Sequence, residues 1–265
     1  MRLILPILLV SASVSLAFGQ AFTIGDPCFV ANLSPSPAPP GLTNPVVLFH
    51  FDTSNAVSVL AESAAGKDMD FTFGTGNALG QSGVISNSIY TGEDGFYSTN
   101  WTDIHFVDFS ATFWLRLTNA ETSGARTIIS RGWSGSPAPG ANWVFYLVGG
   151  TMRIDAGGTG GNSGQFCSPA YDEQWHHYGV TYNSINGECL VYIDGVLSIG
   201  DGFTGSGPFE ADGDTHIFSL GTDCNGGNGP LNQSLDDLAL FNSCLSSNRI
   251  AEIYSNGTNG IPIIP

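Results

Sequence analysis

The chain has 265 residues, is 42% hydrophobic and carries a formal net charge of −16, with 7 Lys or Arg residues against 23 Asp or Glu residues. Such an acidic surface repels phosphate backbones and anionic lipid, which argues against nucleic-acid binding and membrane-surface roles. The 35 glycines and 14 prolines favour short strands joined by turns over long helices.

Residues 1–19 are typical of a secretory signal peptide. Arg2 precedes an apolar run at residues 3–10, and Ala17 and Gly19 are small residues suited to a cleavage site. The apolar run is too short to cross a bilayer, so we expect a secreted, extracellular protein without membrane insertion. Residues 20–44 form a lead-in that contains a proline-rich, extended spacer at residues 34–40.

Residues 45–260 are predicted to form one all-β domain. Short apolar or alternating runs are separated by turns rich in Gly, Asn and Ser, with no internal repeat. The predicted strands cover residues 45–52, 83–90, 109–117, 127–130, 143–148, 151–155, 175–182, 189–193, 196–199, 217–221 and 235–241. One short helix is predicted after residue 245, with Ser246 or Ser247 as its N-cap and Gly257 as its stop.

Residues 175–197 are the most informative stretch of the chain. They read Trp-His-His-Tyr-Gly-Val-Thr-Tyr, a turn through Asn186 and Gly187, and then Leu-Val-Tyr-Ile-Asp-Gly-Val-Leu. Both faces of these strands carry apolar residues, which predicts a meander near the middle of a layered domain.

This stretch, the Leu-Asp-Asp at 235–237 and the closing run Leu-Ser-Ser-Asn-Arg-Ile-Ala-Glu-Ile-Tyr-Ser-Asn-Gly at 245–257 together resemble laminin-G-like domains. The resemblance covers nearly the whole mature chain. It implies an antiparallel two-sheet jelly-roll sandwich of the concanavalin A-like, fourteen-strand type.

The resemblance also implies a calcium site where the first and last strands meet. The matching residues are Asp52, which follows the opening strand, and Asp236. Calcium takes 6 to 8 oxygen ligands, so carboxylates and backbone carbonyls are the ligand types required. The alternative is that Asp52 caps a turn and Asp236 faces solvent. Asp212 with Asp214, and the loop 223–228, are looser candidates.

Catalysis is disfavoured by the sequence, although glycoside hydrolases share this fold. A retaining hydrolase needs two carboxyl groups about 5 Å apart. The only near match to the enzymes' run is Glu210-Ala-Asp-Gly-Asp214, which lacks the second glutamate and is interpreted as a solvated acidic loop. His176 and His177 are adjacent and point to opposite faces of a strand, so they suit structural roles better than one metal ion. His50, His105 and His216 show no partner pattern.

Trp133, in a polar loop, is the candidate ligand-binding aromatic residue, although packing beneath its own loop is the commoner role. Five cysteines outside CxxC spacing favour two disulfides and one odd thiol in an oxidising compartment. Cys28 is the candidate for the odd thiol and for self-association. The disulfide candidates, whose pairing the sequence does not give, are Cys167, Cys189, Cys224 and Cys244.

The sequence therefore predicts a secreted, non-catalytic binding or adhesion module, stabilised by calcium, that recognises a glycan or an extracellular protein. Two alternatives stay open. The chain could be a structural subunit of an extracellular layer, filament or matrix that is tethered through Cys28 and its proline-rich lead. It could also be a glycoside hydrolase with an unrecognised acid pair.

Overall fold

A computed structural model describes residues 44–52, 76–92, 95–98, 105–118, 124–132, 143–156, 162–198, 207–210, 218–222 and 232–263. Every described residue lies in one compact unit, within residues 37–265. Within these ranges the chain forms fourteen strands followed by one α-helix.

The strands are short, as the many turn residues predict. In chain order they are β1 (Val47–Phe49), β2 (Ala78–Ser82), β3 (Asn87–Thr91), β4 (Phe96–Ser98), β5 (Phe109–Leu117), β6 (Ala125–Arg131), β7 (Trp143–Val148), β8 (Thr151–Ala156), β9 (Asn162–Cys167), β10 (Trp175–Asn183), β11 (Glu188–Ile193), β12 (Val196–Leu197), β13 (Phe218–Leu220) and β14 (Gln233–Phe241).

These strands form two sheets, in which every pairing between described strands is antiparallel. The eight-stranded sheet has the order β12-β11-β10-β5-β14-β3-β2, and β1 also pairs with β14. The six-stranded sheet has the order β4-β13-β6-β7-β8-β9. The predicted all-β, two-sheet antiparallel sandwich is confirmed.

The core lies between the two sheets, because alternate residues of each strand point inward. Phe109 and Phe113 of β5 meet Phe145 of β7 across it, at ring-centroid distances of 5.9 and 6.5 Å. Phe209, from the segment before β13, stacks on Phe109 at 4.3 Å. A second apolar cluster lies on the outer face of the eight-stranded sheet. The helix α1 (Ser247–Thr258) covers that face with Ile250.

The start of α1 agrees with the sequence prediction, but its end does not. Ser246 is the N-cap, and its side-chain oxygen accepts a hydrogen bond from the Arg249 N–H at 3.3 Å. The helix continues through Gly257 and ends at Thr258. Gly257 lies against Trp114 of β5, where a Cβ atom would be 2.7 Å from the indole ring, so this position requires a glycine. The left-handed residue that follows the helix is Gly260, with φ of 68°.

Two further expectations need correction. Residues 83–86 form a turn and not the start of a strand: Ser86 has φ of 64°, and the Gly83 N–H donates to the Ser86 carbonyl at 3.1 Å. The meander is only partly central, because β10 lies inside the eight-stranded sheet whereas β12 is its edge. Val196 and Leu197 of β12 are 69% and 50% exposed, respectively.

Candidate functional site

The predicted junction of the first and last strands is present and lies on one edge of β14. Residues 233–235 of β14 pair with β3, whereas residues 238–240 pair with β1. Asp236 and Asp237 occupy the gap between these two partners. The register between β14 and β5 shifts at this point, and Asp237 adopts φ of 45°. This β-bulge turns two consecutive acidic side chains towards the junction.

Asp236 is fully buried and holds the turn that precedes β3. Its Oδ2 atom accepts hydrogen bonds from the backbone N–H groups of Val84 and Ile85 at 2.8 and 3.0 Å. Gly83 allows this approach, because a Cβ atom there would lie 2.4 Å from the same oxygen. A longer β3 would donate these N–H groups to a neighbouring strand. Because the Asp236 carboxylate accepts their hydrogen bonds instead, residues 83–86 are not a strand.

Asp237 and Asp52 complete the junction. The buried Asp237 Oδ1 atom is paired with Nδ1 of His50, which lies between β1 and Asp52. The exposed Asp52 accepts a hydrogen bond from the Asn87 N–H at 3.0 Å, and its carbonyl accepts one from the Asn87 side-chain amide at 2.8 Å. Asp52 and Asp236 therefore bind the two ends of one turn. The sequence prediction missed the partnership of His50 with Asp237.

Both buried acidic side chains of the junction have raised pKa values. Burial raises the pKa of Asp236 to about 7; the hydrogen bond from Ile85 opposes this shift, and the charge of Asp237 adds to it. Burial also raises the pKa of Asp237, against the lowering effect of His50. In the described part of the chain, Asp236 Oδ1 and Asp237 Oδ2 are buried oxygens with no hydrogen-bond partner. Two such oxygens fit a hard cation that prefers oxygen ligands.

The carboxylates would not complete a coordination shell alone. Among the described residues, no group of three or more His, Cys, Asp or Glu side chains could hold a metal ion. A calcium ion at this junction would therefore need backbone carbonyls and water for its remaining ligands. The acidic side chains at the junction are the buried Asp236 and Asp237 and the exposed Asp52.

Glu210 is not the solvated acidic residue that the sequence predicted. It is 1% exposed, and Arg131 Nη1 donates to both of its carboxylate oxygens at 2.8 Å. The Trp143 indole N–H donates to Oε1 at 2.6 Å, and the Phe106 N–H donates to Oε2 at 3.0 Å. Burial raises the pKa of Glu210, whereas Arg131 lowers it. Both oxygens are occupied, so this carboxylate ties the segment 207–210 to β6 and β7.

The adjacent histidines of β10 have different environments, as their opposite faces predict. His176 lies between two carboxylates: Nδ1 is 2.7 Å from Asp194 Oδ2, and Nε2 is 3.3 Å from Asp172 Oδ2. His177 is 1% exposed and lies against Trp114 and Tyr254, and neither ring nitrogen has a hydrogen-bond partner among the described residues. These contacts indicate structural roles for both histidines.

The described cysteines are free thiols. Cys167 and Cys189 are buried, and Cys244 is partly exposed. Burial raises the pKa of Cys167 to about 12 and that of Cys244 to about 11, so both thiols are protonated at neutral pH. The sequence predicted two disulfides among Cys167, Cys189, Cys224 and Cys244. No disulfide joins any two of the three that are described.

Several predictions lie outside the described residues. They are the signal peptide at 1–19, nearly all of the lead-in at 20–44, the candidate ligand residue Trp133, the thiols of Cys28 and Cys224, and the acidic candidates Asp212, Asp214 and 223–228. Among the described helices, none is long and apolar enough to cross a membrane.

Two packed antiparallel sheets with a short C-terminal helix define the class of this protein as a concanavalin A-like jelly roll. The family model for the concanavalin A-like lectin/glucanases superfamily of laminin-G type matches residues 91–251. The chain therefore belongs to this laminin-G-like family. A search of curated proteins found no match.

Solved structures with the same fold are distant in sequence. The binding domain of botulinum neurotoxin serotype G has 14% identity and a TM-score of 0.60, over 80% of this chain and 51% of that one. The serotype D ligand-binding domain in complex with N-acetylneuraminic acid has 16% identity and a TM-score of 0.57, over 81% and 51%. The binding domain of Paraclostridial Mosquitocidal Protein 1 has 15% identity and a TM-score of 0.59, over 80% and 52%. The chain thus spans about half the length of these structures.

Proposed function

We propose that this protein is a secreted, non-catalytic binding or adhesion module that recognises a glycan or an extracellular protein. The superfamily contains both lectins and glucanases, so the choice between them depends on the carboxylates. The observation that carries the choice is the burial of Glu210, the only near match to a catalytic run, whose two oxygens are occupied by Arg131, Trp143 and Phe106. A carboxylate held in this way is unavailable to attack or protonate a sugar.

Two further observations support a binding role. The similar solved structures are described as binding domains, and one of them was crystallised with N-acetylneuraminic acid. Those descriptions concern distant proteins, and here they serve only to select the ligands to test. Export follows from the signal-like residues 1–19.

Calcium is the proposed stabilising ion. The support comes from the two buried carboxylate oxygens without hydrogen bonds, on Asp236 and Asp237. When bound, calcium would neutralise the acidic pair and join β1, β3 and β14, while Asp236 would keep its hydrogen bonds to Val84 and Ile85.

The test is a glycan array and an extracellular-protein array, both probed with the mature protein in calcium buffer. We expect at least one specific ligand, and no release of reducing sugar from a polysaccharide panel. Sugar release that survives Glu210→Gln would restore the hydrolase alternative with a different acid pair. A protein that binds nothing on either array would contradict the binding-module proposal.

The structural-subunit alternative depends on the odd cysteine and the proline-rich lead. It predicts disulfide-linked dimers or larger assemblies under non-reducing conditions, through Cys28. Electrophoresis and mass photometry of the wild type and of Cys28→Ser, with and without reductant, separate the two functions. A monomer that is unaffected by reductant would contradict the structural role.

A further inference from the structure

Two exposed apolar side chains lie at the end of the sandwich where β5 begins and β10 turns into β11. Ile185, in the turn between β10 and β11, is 85% exposed, and Val107, two residues before β5, is 52% exposed. No other large apolar side chain in the described part of the chain is as exposed as Ile185. Single exposed apolar residues are common, so the backbone that supports these two decides whether they form an interaction site.

Hydrogen bonds join the two segments that carry these side chains. The Asp108 Oδ1 atom accepts from the Ser184 backbone N–H at 2.9 Å and from the Ser184 hydroxyl at 2.7 Å. A third segment supports both of them. The Gly207 N–H donates to the Ser184 carbonyl at 2.9 Å, and two residues later the Phe209 N–H donates to the Val107 carbonyl at 2.9 Å. The two exposed side chains are therefore held beside one another.

The turn that carries Ile185 is also fixed from within. The Ile185 N–H donates to Asn183 Oδ1 at 2.9 Å, and the Gly187 N–H donates to the Asn183 carbonyl at 2.9 Å. The Glu188 N–H donates to Asn186 Oδ1 at 3.0 Å. Gly187 has φ of 70°, the left-handed conformation that this reversal requires. A side chain on such a fixed turn can bind a partner without the entropy cost of ordering the loop.

The same contacts decide which class of ligand suits this end of the sandwich. The side-chain oxygens of Asn183 and Asn186 and one oxygen of Asp108 already accept hydrogen bonds from the turn. These acceptors are engaged and the exposed apolar side chains are aliphatic, so a sugar would find neither hydrogen-bonding groups aimed at its hydroxyls nor an aromatic ring. A fixed aliphatic side chain instead suits an apolar pocket on another protein.

The charges at this end decide which protein surface fits. Asp108 and Glu188 are acidic, and residues 105–108 and 182–189 contain no Lys or Arg. The whole chain has a net charge of −16. Such charges repel anionic lipid and a second copy of this chain, which disfavours both as occupants. They attract basic residues at the rim of a partner's pocket.

We propose that Ile185, with Val107 beside it, is the anchor of a protein-binding surface. It inserts into an apolar pocket of an extracellular protein that has basic residues at the rim of the pocket. Asp108 and Glu188 steer that basic rim towards the anchor. This inference rests on the proposed function, because it chooses between the two ligand classes of the binding module and assigns this surface to the protein class.

The test applies an array of extracellular proteins to the wild type, Ile185→Ala and Val107→Ala, and measures the affinity of each bound protein by calorimetry. We expect the wild type to bind at least one array protein. Ile185→Ala should weaken that binding roughly thirtyfold or more, the effect of losing a central anchor residue. Val107→Ala should weaken it less. Binding should also weaken with added salt, because ions screen the attraction between the acidic residues and the basic rim.

The matched control is Ile261→Ala, which shortens an isoleucine that lies after α1 and is 47% exposed. It should keep the wild-type affinity, and thermal melts should show that every variant is folded. If the array protein binds Ile185→Ala as tightly as the wild type, this surface is wrong while the binding function stands.

Three other occupants have their own outcomes. Glycans as the only ligands would show that the surface is wrong and that the module recognises sugars. Binding to phosphatidylcholine–phosphatidylserine vesicles without any protein ligand, or self-association in sedimentation that Ile185→Ala abolishes, would assign Ile185 to a membrane or to a second copy and overturn the proposal. If neither a glycan nor a protein array yields a ligand, the proposed function fails together with this surface.

Discussion

The neighbouring residues His176 and His177 show how strongly one position along a strand changes the chemistry of a side chain. Burial lowers the pKa of His176, but hydrogen bonds and charges from Asp194 and Asp172 outweigh it, and the pKa is raised above 6.5 overall. His177 is buried more deeply, and the charge of Asp194 offsets only part of the burial effect, so its pKa falls to about 4. The alternation of a β-strand therefore places two identical side chains in environments that shift their pKa values in opposite directions.

This difference predicts two opposite pH dependences. His176 contributes stability that is complete below pH 6.5 and is lost as the pH rises through its raised folded pKa. His177 contributes stability that is complete above pH 6.5 and is lost as the pH falls towards 4. In an NMR titration, the ring protons of His176 should therefore titrate above 6.5 and those of His177 near 4.

The variant His176→Gln should remove the loss of stability above pH 6.5 without changing the acid limb, and His177→Leu should do the reverse. Urea unfolding at several pH values measures both. Equal midpoints for the two imidazoles would show that the carboxylates do not bind His176 in solution.

At the scale of secondary-structure elements, the junction of β1, β3 and β14 is where acidic residues replace strand pairing. β14 changes partner at Asp236 and Asp237, and the carboxylate of Asp236 supplies the acceptor that a continuous strand would have provided. This arrangement buries the carboxyl group of Asp236 and raises its pKa. The stability of the whole junction should therefore respond to pH and to a cation.

For Asp236, the folded pKa of about 7 exceeds the ordinary value of 3.8. Its contribution to stability is complete below pH 3.8 and is lost as the pH rises to 7. Without calcium, the wild type should lose stability over this window relative to Asp236→Asn, which cannot ionise. Calcium at one hundred times its Kd should contribute about 2.7 kcal/mol, or roughly 5 to 11 °C in Tm for a domain of this size.

Thermal melts with calcium and with a chelator measure this effect. Glu252→Gln, an exposed acidic residue of α1, is the control and should keep the full calcium response. If calcium raises the Tm of Asp236→Asn as much as that of the wild type, the ion does not bind at the junction.

The sequence was sufficient for most of the fold. Alternating apolar residues and turn residues located most of the strands, because local propensity and burial agree there. The prediction failed where a distant side chain decided the local structure. Residues 83–86 have the composition of a strand, but Asp236 binds their N–H groups from 151 or 152 residues away. Gly257 resembles a helix stop, but it lies inside α1, where the close approach of Trp114 requires a glycine.

The candidate sites were predicted unevenly for the same reason. The family resemblance supplied Asp52 and Asp236, whereas His50 and Glu210 depend on contacts that no local pattern shows. His50 meets Asp237, and Glu210 meets Arg131 across 79 residues of sequence.

At the scale of the whole molecule, the packed sheets control access to the thiols. Cys189 is completely buried in the core, and burial raises its pKa well above the ordinary value. Alkylation of Cys189 in the native protein should therefore require global unfolding, so its rate should fall with added stability. Cys244, which is partly exposed, should react through smaller local openings.

Mass spectrometry of peptides after timed alkylation in increasing urea measures both rates. The urea dependence of Cys189 labelling should match that of global unfolding, and that of Cys244 should be weaker. A Cys189 that resists alkylation in fully unfolded, unreduced protein would instead show that it forms a disulfide.

The pairing of β1 with β14 also affects the order in which the strands of this sheet can pair during synthesis. β14 pairs with β1, β3 and β5, and it follows all three of them in the chain. β1 must therefore wait for a partner that lies 187 residues downstream, as measured from His50 to Asp237. Contacts so distant in sequence form slowly. We therefore expect the eight-stranded sheet to stay incomplete until β14 has been synthesised.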